Sequence, residues 1–284
     1  MGFNYSVFTV MTPDLSLEEA ASTLNSLGYD GVEWRVANLP KSSPERIDYW
    51  RGNRATVDAS RLLEEAQKIR RLSEENGLAI CALGTYLSVD DAAGIENAME
   101  AAKIMKCPQI RVSVPRYDGS RDYNALFKET VEKLKDVEGL AEEHEVKANI
   151  EIHMGTICPS ASLAYRLVSN FDPEYIGVIF DPGNMVCEGY ENWQLGLELL
   201  GDYLAHVHVK NTKWQLESEE GGLKKWRPVM CGLDEGIVDW REVLTVLKKA
   251  NYDGWLSFED FSEGDTLTKL KRDLEFIKGL ERSL

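Results

Sequence analysis

Residues 147–181 read KANIEIHMGTICPSASLAYRLVSNFDPEYIGVIFD. The segment opens on a β-rich run, 147–153, passes through a helical stretch, 160–170, and closes on a second β-rich run, 176–181. A strand, a helix and a strand within about thirty residues make one βαβ unit, whose two strands run parallel through a helical crossover. The same alternation continues in both directions. Strands are expected at 5–10, 31–36, 78–83 and 109–114 before this unit, and at 203–210 and 254–259 after it. Between and beyond them lie amphipathic helices. The first opens at Ser16, with Glu19 three residues on as a capping box and Gly28 as a stop. The next buries Leu62, Ala66, Ile69 and Leu72 on one face and ends near Gly77. The others are expected at 95–105, 123–144, 193–200, 238–250 and 267–280. Eight strands and eight helices in strict alternation, in a chain of this size, predict an α/β fold: a single (β/α)8 TIM barrel of parallel strands ringed by helices. The competing architecture is an open doubly wound sheet, but no Gly-rich dinucleotide fingerprint follows the first strand.

No linker-like stretch or low-complexity segment divides the chain, so residues 1–284 are read as one domain. Two connections are too long for simple turns: 37–58, with Pro40, Pro44, Trp50, Arg51 and Arg54, and 211–236, with Lys213, Trp214, Trp226 and Arg227. Both leave the carboxyl end of a strand, the face on which such barrels carry their sites, and both are expected to be lids or binding loops.

The chain carries 32 Lys+Arg against 48 Asp+Glu, a formal charge of −16, and is 43% hydrophobic, enough for a sizeable core. A strongly negative globule repels phosphate backbones, so general nucleic-acid binding is not expected. No window approaches the ~20 apolar residues of a membrane helix, and the start, MGFNYSVFTV, has no basic stretch leading into an apolar run. Gly2 with Ser6 is only a weak match to a myristoylation pattern. The five cysteines (Cys81, Cys107, Cys158, Cys187 and Cys231) include no CxxC pair, and buried reduced thiols in a cytoplasmic protein are expected.

The last four strands each end an apolar run on polar residues: Glu151 and His153 in the fifth, Asp181 in the sixth, His206, His208 and Lys210 in the seventh, Glu259 in the eighth. Residues two apart on a strand share a face. Any one of these, alone, reads as a helix cap, a solvated carboxylate or a hydrogen-bonded core histidine. Four at matching heights on adjacent strands read as a ligand set. Three carboxylates and one imidazole suit a divalent cation such as Mn, Mg, Co or Zn; without one, three acids would converge uncompensated. Parity allows either histidine, with His208 nearer the strand end and His206 deeper.

The stretches GYDGVEWR, IEIH, FDPGNM, HVHVKN, GIVDW and NYDGWLSFED, in that order, resemble the xylose isomerase-like barrel superfamily, which includes sugar isomerases and epimerases and apurinic endonucleases. The resemblance implies a single divalent metal, manganese first, held by Glu151, Asp181, His208 and Glu259. It also implies that Glu151 and Glu259 face each other across a sugar as acid and base. His153 shares the inward face of Glu151 and is a further acid/base candidate. Asn184 stands where several epimerases have a histidine. Glu33, Arg35, Arg111, Asn184, Lys210, Trp214 and Arg227 are expected to contact substrate, with Trp214 and Trp226 as walls; for Glu33 an ion pair with Arg35 or Arg111 competes.

The activity expected is a metal-dependent sugar or keto-sugar isomerase or epimerase working through an enediolate. The alternative is a lyase, dehydratase or deglycosidase using the same site. An abasic-site endonuclease is disfavoured, because the family's nucleases resemble a histidine-rich three-metal site and this chain has four histidines, with His144 on an outer helix. A non-catalytic sugar-binding subunit is disfavoured by the intact ligand set. The expected partner is a small sugar, with no nucleic acid and no membrane; a homo-oligomer is open.

Overall fold

A computed structural model describes residues 2–39 and 46–284; Pro40 and Pro44 lie outside the described residues. In chain order the elements are β1 (Asn4–Phe8), α1 (Leu17–Leu27), β2 (Gly31–Ala37), β3 (Thr56–Asp58), α2 (Leu62–Glu75), β4 (Ala79–Thr85), α3 (Ala92–Met105), β5 (Gln109–Val112), α4 (Tyr123–His144), β6 (Lys147–Glu151), α5 (Ala161–Val168), β7 (Ile176–Phe180), α6 (Pro182–Glu188), α7 (Trp193–Leu200), β8 (Leu204–Val209), β9 (Asn211–Glu220), β10 (Leu223–Cys231), α8 (Trp240–Lys249), β11 (Trp255–Phe258) and α9 (Thr266–Glu281). Strands β1, β2, β4, β5, β6, β7, β8 and β11 pair in that order, and β11 pairs back to β1, every pair parallel. This is the closed eight-stranded barrel expected, and the fifth to eighth barrel strands are β6, β7, β8 and β11.

Three elements depart from expectation. The short β3 pairs with the carboxyl half of β2, beyond the point where β1 ends, and so extends the rim. The seven-residue α6 begins directly after β7; Asp181 caps it and Pro182 occupies its first turn. Most of the second long connection is an antiparallel hairpin, β9–β10, largely exposed, where a loop was expected. The first strand also ends early, at Phe8, and Thr9–Met11 form a 3-10 turn.

Eight of the nine described α-helices start on a Ser, Asp or Asn whose side chain accepts from the first turn: Ser16, Asp91, Asp122, Ser160, Asp181, Asn192, Asp239 and Asp265. Five of these are aspartates, so part of the acidic excess serves the positive ends of helix dipoles. Because each barrel helix follows a strand, those capped ends gather at the carboxyl face of the barrel. The core is the layer between barrel and helices, with Val32, Leu83, Ile110, Ile150, Val178 and Val207 fully or almost fully buried on the strands against Leu24, Ile69, Leu134 and Leu244 from helices. The interior of the barrel at its carboxyl end is by contrast polar.

Candidate active site

Glu151 is the last residue of β6, Asp181 follows β7, His208 lies one residue before the end of β8, and Glu259 follows β11. The barrel turns all four inward. One ligand-type atom from each lies within 4.8 Å of those of the other three, and all four residues are buried. His208 is the hub. Its Nδ1 lies 3.2 Å from Glu151 Oε1, 3.5 Å from Glu259 Oε2 and 3.8 Å from Asp181 Oδ2, while its Nε2 lies 3.1 Å from Glu33 Oε2. The Phe8 ring stacks on the imidazole at 5.6 Å. Phe8 in turn lies flush against Gly84, where a Cβ would collide with the ring.

Asp181 has two tasks. Its Oδ1 accepts from the Asn184 backbone N–H at 2.8 Å, which starts α6, and its Oδ2 looks into the cluster. Asn184 then braces two of the acids, donating through Nδ2 to Asp181 Oδ2 at 2.8 Å and to Glu151 Oε1 at 3.3 Å. Two fixed cations border the cluster. Arg111 donates to Glu151 Oε2 at 2.6 Å and to the Thr85 carbonyl at 2.8 Å. Lys210 Nζ lies 2.8 Å from Asp181 Oδ2 and 2.6 Å from Glu259 Oε2.

The two glutamates are driven in opposite directions. Burial favours the neutral form of Glu151, but Arg111 and His208 outweigh it and hold the carboxyl well below the usual range. Burial raises Glu259, and although Lys210 and His208 pull it down, Glu151 and Asp181 oppose them and the net shift is upward. The tetrad also fits a divalent cation. Three carboxylates and an imidazole nitrogen converge in a buried space, and the cluster already draws an ammonium, that of Lys210, against two of its donors.

A second buried layer lies below. His206 Nε2 meets Glu33 Oε2 at 3.0 Å, Ser257 donates to the same oxygen at 2.7 Å, and Gln109 joins His206 Nδ1 at 3.3 Å and Asn149 Nδ2 at 2.7 Å. Burial works against the Glu33 carboxylate, yet the two imidazoles hold its pKa far below normal. Glu33 therefore pairs with neither Arg35 nor Arg111. It supports His208 from beneath and does not line the cavity, which corrects its expected place among the substrate contacts. His206 is the deeper histidine, one layer below the tetrad.

Above the tetrad opens a cavity of about 840 Å³. Glu151, Glu259, Asn184, Lys210, Arg111 and His153 line its floor and side, and Arg227 reaches it from β10. Arg35 is buried behind the wall, donating to Thr56 Oγ1 at 2.6 Å. Trp214 points away, its indole N–H donating to the Val186 carbonyl at 3.1 Å, so neither it nor Trp226 forms a wall; Tyr49, Trp50, Tyr86 and Phe261 do. Trp50 stood out in the sequence as a loop aromatic. Tyr86 and Phe261 did not, although each follows closely on a strand end.

The Xylose isomerase-like TIM barrel family model matches residues 21–280. Curated relatives include an inosose dehydratase of Lacticaseibacillus casei, 26% identical over 115 residues, and one of Mesomycoplasma hyopneumoniae (strain 7448), 23% identical over 291 residues. The first alignment spans 38% of each chain; the second spans 94% of this chain and 89% of the relative. Among solved structures, the 3-keto-D-glucoside 4-epimerase of E. coli superposes with a TM-score of 0.74 at 15% identity, covering 98% of this chain and 100% of that one. A xylose isomerase-like TIM barrel protein of Mycobacterium smegmatis in complex with magnesium gives 0.69 at 16% identity, covering 99% and 96%. At such identities the structural likeness speaks for the fold alone. With its barrel closed and the family model spanning nearly its whole length, this chain belongs to the xylose isomerase-like TIM barrel family.

Proposed function

We propose that the protein is a divalent-metal-dependent isomerase or epimerase of a keto-sugar or closely related cyclic polyol ketone. The observation that carries this is the buried tetrad of Glu151, Asp181, His208 and Glu259, two of whose members, Glu151 and Glu259, line an 840 Å³ cavity. Bound by those four residues, a cation such as manganese would polarise the substrate carbonyl and offset developing negative charge. The rest of the chemistry belongs to the chain. Glu151, kept ionised by Arg111, takes the proton from the carbon beside the carbonyl. Glu259, the other glutamate at the cavity, returns a proton to the opposite face or to the neighbouring carbon. Lys210 and Arg111 stabilise the enediolate charge from either side. His153, whose Nδ1 lies 2.7 Å from the Met154 carbonyl, reaches the cavity and holds a substrate hydroxyl. The five free, buried cysteines support a reducing compartment, and we assign the protein to the cytoplasm.

A second reading, elimination of water or of a β-substituent, draws on the relatives named inosose dehydratase. In that case His153 would protonate the leaving group. Manganese-loaded protein incubated in D2O with a panel of ketohexoses, 3-keto-glucosides and inososes separates the two. Isomerisation or epimerisation gives deuterium at a ring or chain carbon with mass otherwise conserved; elimination gives loss of water or aglycone. Glu151→Gln and Glu259→Gln should each lower turnover by roughly 10²–10⁴-fold. Full activity in either variant on the substrate found would remove the proton-transfer roles.

A further inference from the structure

We propose that the outer half of the cavity is a second binding subsite, built to stack a flat ring carried by the sugar. The substrate class is then a ring-substituted sugar, such as a glycoside, instead of a free monosaccharide. This rests on the sugar reading above and narrows it.

Size is the first ground. The cavity of about 840 Å³ is near the upper end for small-molecule sites, and a free hexose of about a dozen heavy atoms fills only part of it. The second ground is the aromatic part of its lining. Charged groups line much of it: Glu151, Glu259 and Lys210 beside the tetrad, and also Arg116, Arg227 and Glu263. One stretch of the wall is aromatic, formed by Tyr49, Trp50, Tyr86 and Phe261. The Trp50 and Phe261 rings are 5.3 Å apart, Trp50 and Tyr86 6.4 Å, and Tyr49 and Phe261 5.0 Å. Trp50 is 54% exposed and Tyr86 38% exposed; the Trp50 indole, set edge to face with Tyr86, leaves aromatic surface open to the cavity. Exposed apolar surface gathered in a cleft marks a binding surface.

The wall is also held in place before anything binds. Asp48 Oδ1 accepts from the backbone N–H groups of Trp50 and Arg51 at 2.9 and 2.8 Å, fixing the turn that presents the indole. The guanidinium groups of Arg35 and Arg111 lie over the Tyr86 ring at 5.2 and 4.5 Å. Preorganisation of this kind lowers the cost of ordering on binding. Arg111 joins the two halves, because the guanidinium over Tyr86 also holds Glu151 at 2.6 Å. A ring lying on the wall is therefore attached close to the carbon that Glu151 addresses.

The test measures binding to manganese-loaded protein by titration calorimetry. The probes are methyl and phenyl β-D-glucopyranoside and cellobiose, each also as its 3-keto form, with wild type, Trp50→Ala and Trp50→Phe. Expected are phenyl glycosides bound about tenfold more tightly than methyl glycosides by wild type, an advantage lost in Trp50→Ala and largely kept in Trp50→Phe. A matching gain for cellobiose identifies the ring as a second sugar, and a gain for phenyl alone identifies an aryl group. If methyl and phenyl glycosides bind equally, or Trp50→Ala keeps the phenyl advantage, the subsite is overturned and the sugar reading stands. If none of these compounds binds in either form, both fall.

Discussion

His208 offers opposite nitrogens to opposite tasks, and Glu33 decides which is which. With Nε2 directed at Glu33, 3.1 Å away, Nδ1 is the nitrogen left facing the three carboxylates. A carboxylate that accepts from the far side of a ligating imidazole fixes the ring and raises its basicity. Glu33→Gln keeps the shape and removes that charge. Titration calorimetry should then find manganese bound about 10–100-fold more weakly. An unchanged dissociation constant would mean that the stacked Phe8 alone orients the ring. The tetrad itself was legible in the sequence because each member interrupts an apolar strand at its carboxyl end, and two-residue periodicity sets the face. The partner of Glu33 was not legible. Which layer of a barrel a side chain reaches depends on strand tilt and stagger, which no single strand's sequence encodes. Trp214 misled for a related reason: its loop is a hairpin, and the hairpin turns that indole toward α6.

At the scale of elements, every expected strand and helix is present, because each carries a buried face that its period reveals. The hairpin β9–β10 lacks such a face. Its residues are exposed on both sides for most of its length, so no alternation marks it. One cue was there: Gly221 and Gly222 both adopt positive φ, 59° and 81°, as a two-residue hairpin turn of the type I′ kind requires. Helix α6 was similarly signalled by Asp181–Pro182 but is too short for periodicity. The docking of α9 against the segment after β11 carries a pH dependence. Arg272 bridges two buried acids, reaching Asp260 Oδ2 at 2.5 Å and Asp273 Oδ1 at 2.9 Å, while Asp273 Oδ2 has no partner among the described residues. Burial and the neighbouring Asp260 carboxylate push Asp273 from 3.8 up to about 8, against the pull of Arg272. Between those values the folded chain keeps a proton that the unfolded chain has lost. The stability tied to that proton is therefore full in acid and drains away as pH rises through about 8. Asp273→Asn cannot titrate. In urea melts from pH 5 to pH 8, wild-type stability should decline relative to the variant as pH rises. A difference independent of pH would mean that Asp273 is ionised beside Arg272 throughout.

For the whole molecule the question is what holds four buried acids, Glu33, Glu151, Asp181 and Glu259, inside a chain of net charge −16. Arg111, Lys210 and the imidazole of His208, whose pKa burial lowers but Glu33, Asp181 and Glu151 raise to well above normal, supply the positive side. A divalent cation binding only the folded chain takes the place of the proton on His208 Nδ1 and stabilises the fold by mass action. At a hundredfold excess over its dissociation constant the gain is about 2.7 kcal/mol. For a chain of this size that amounts to a rise of roughly 5 °C in Tm. Scanning calorimetry of chelator-treated protein, with and without manganese, should record it. A chain this acidic also collects divalent ions on its surface, so a rise by itself does not locate the ion. Asp181→Asn separates the two sources. Asparagine caps helices as well as aspartate does, so α6 should still form, and a single charge in sixteen leaves the surface field nearly unchanged. Only the buried donor is lost. If the variant keeps the full rise in Tm, the cation sits on the surface and the tetrad is a structural ion-pair cluster; if the rise disappears with that one oxygen donor, the ion is bound at the end of β7.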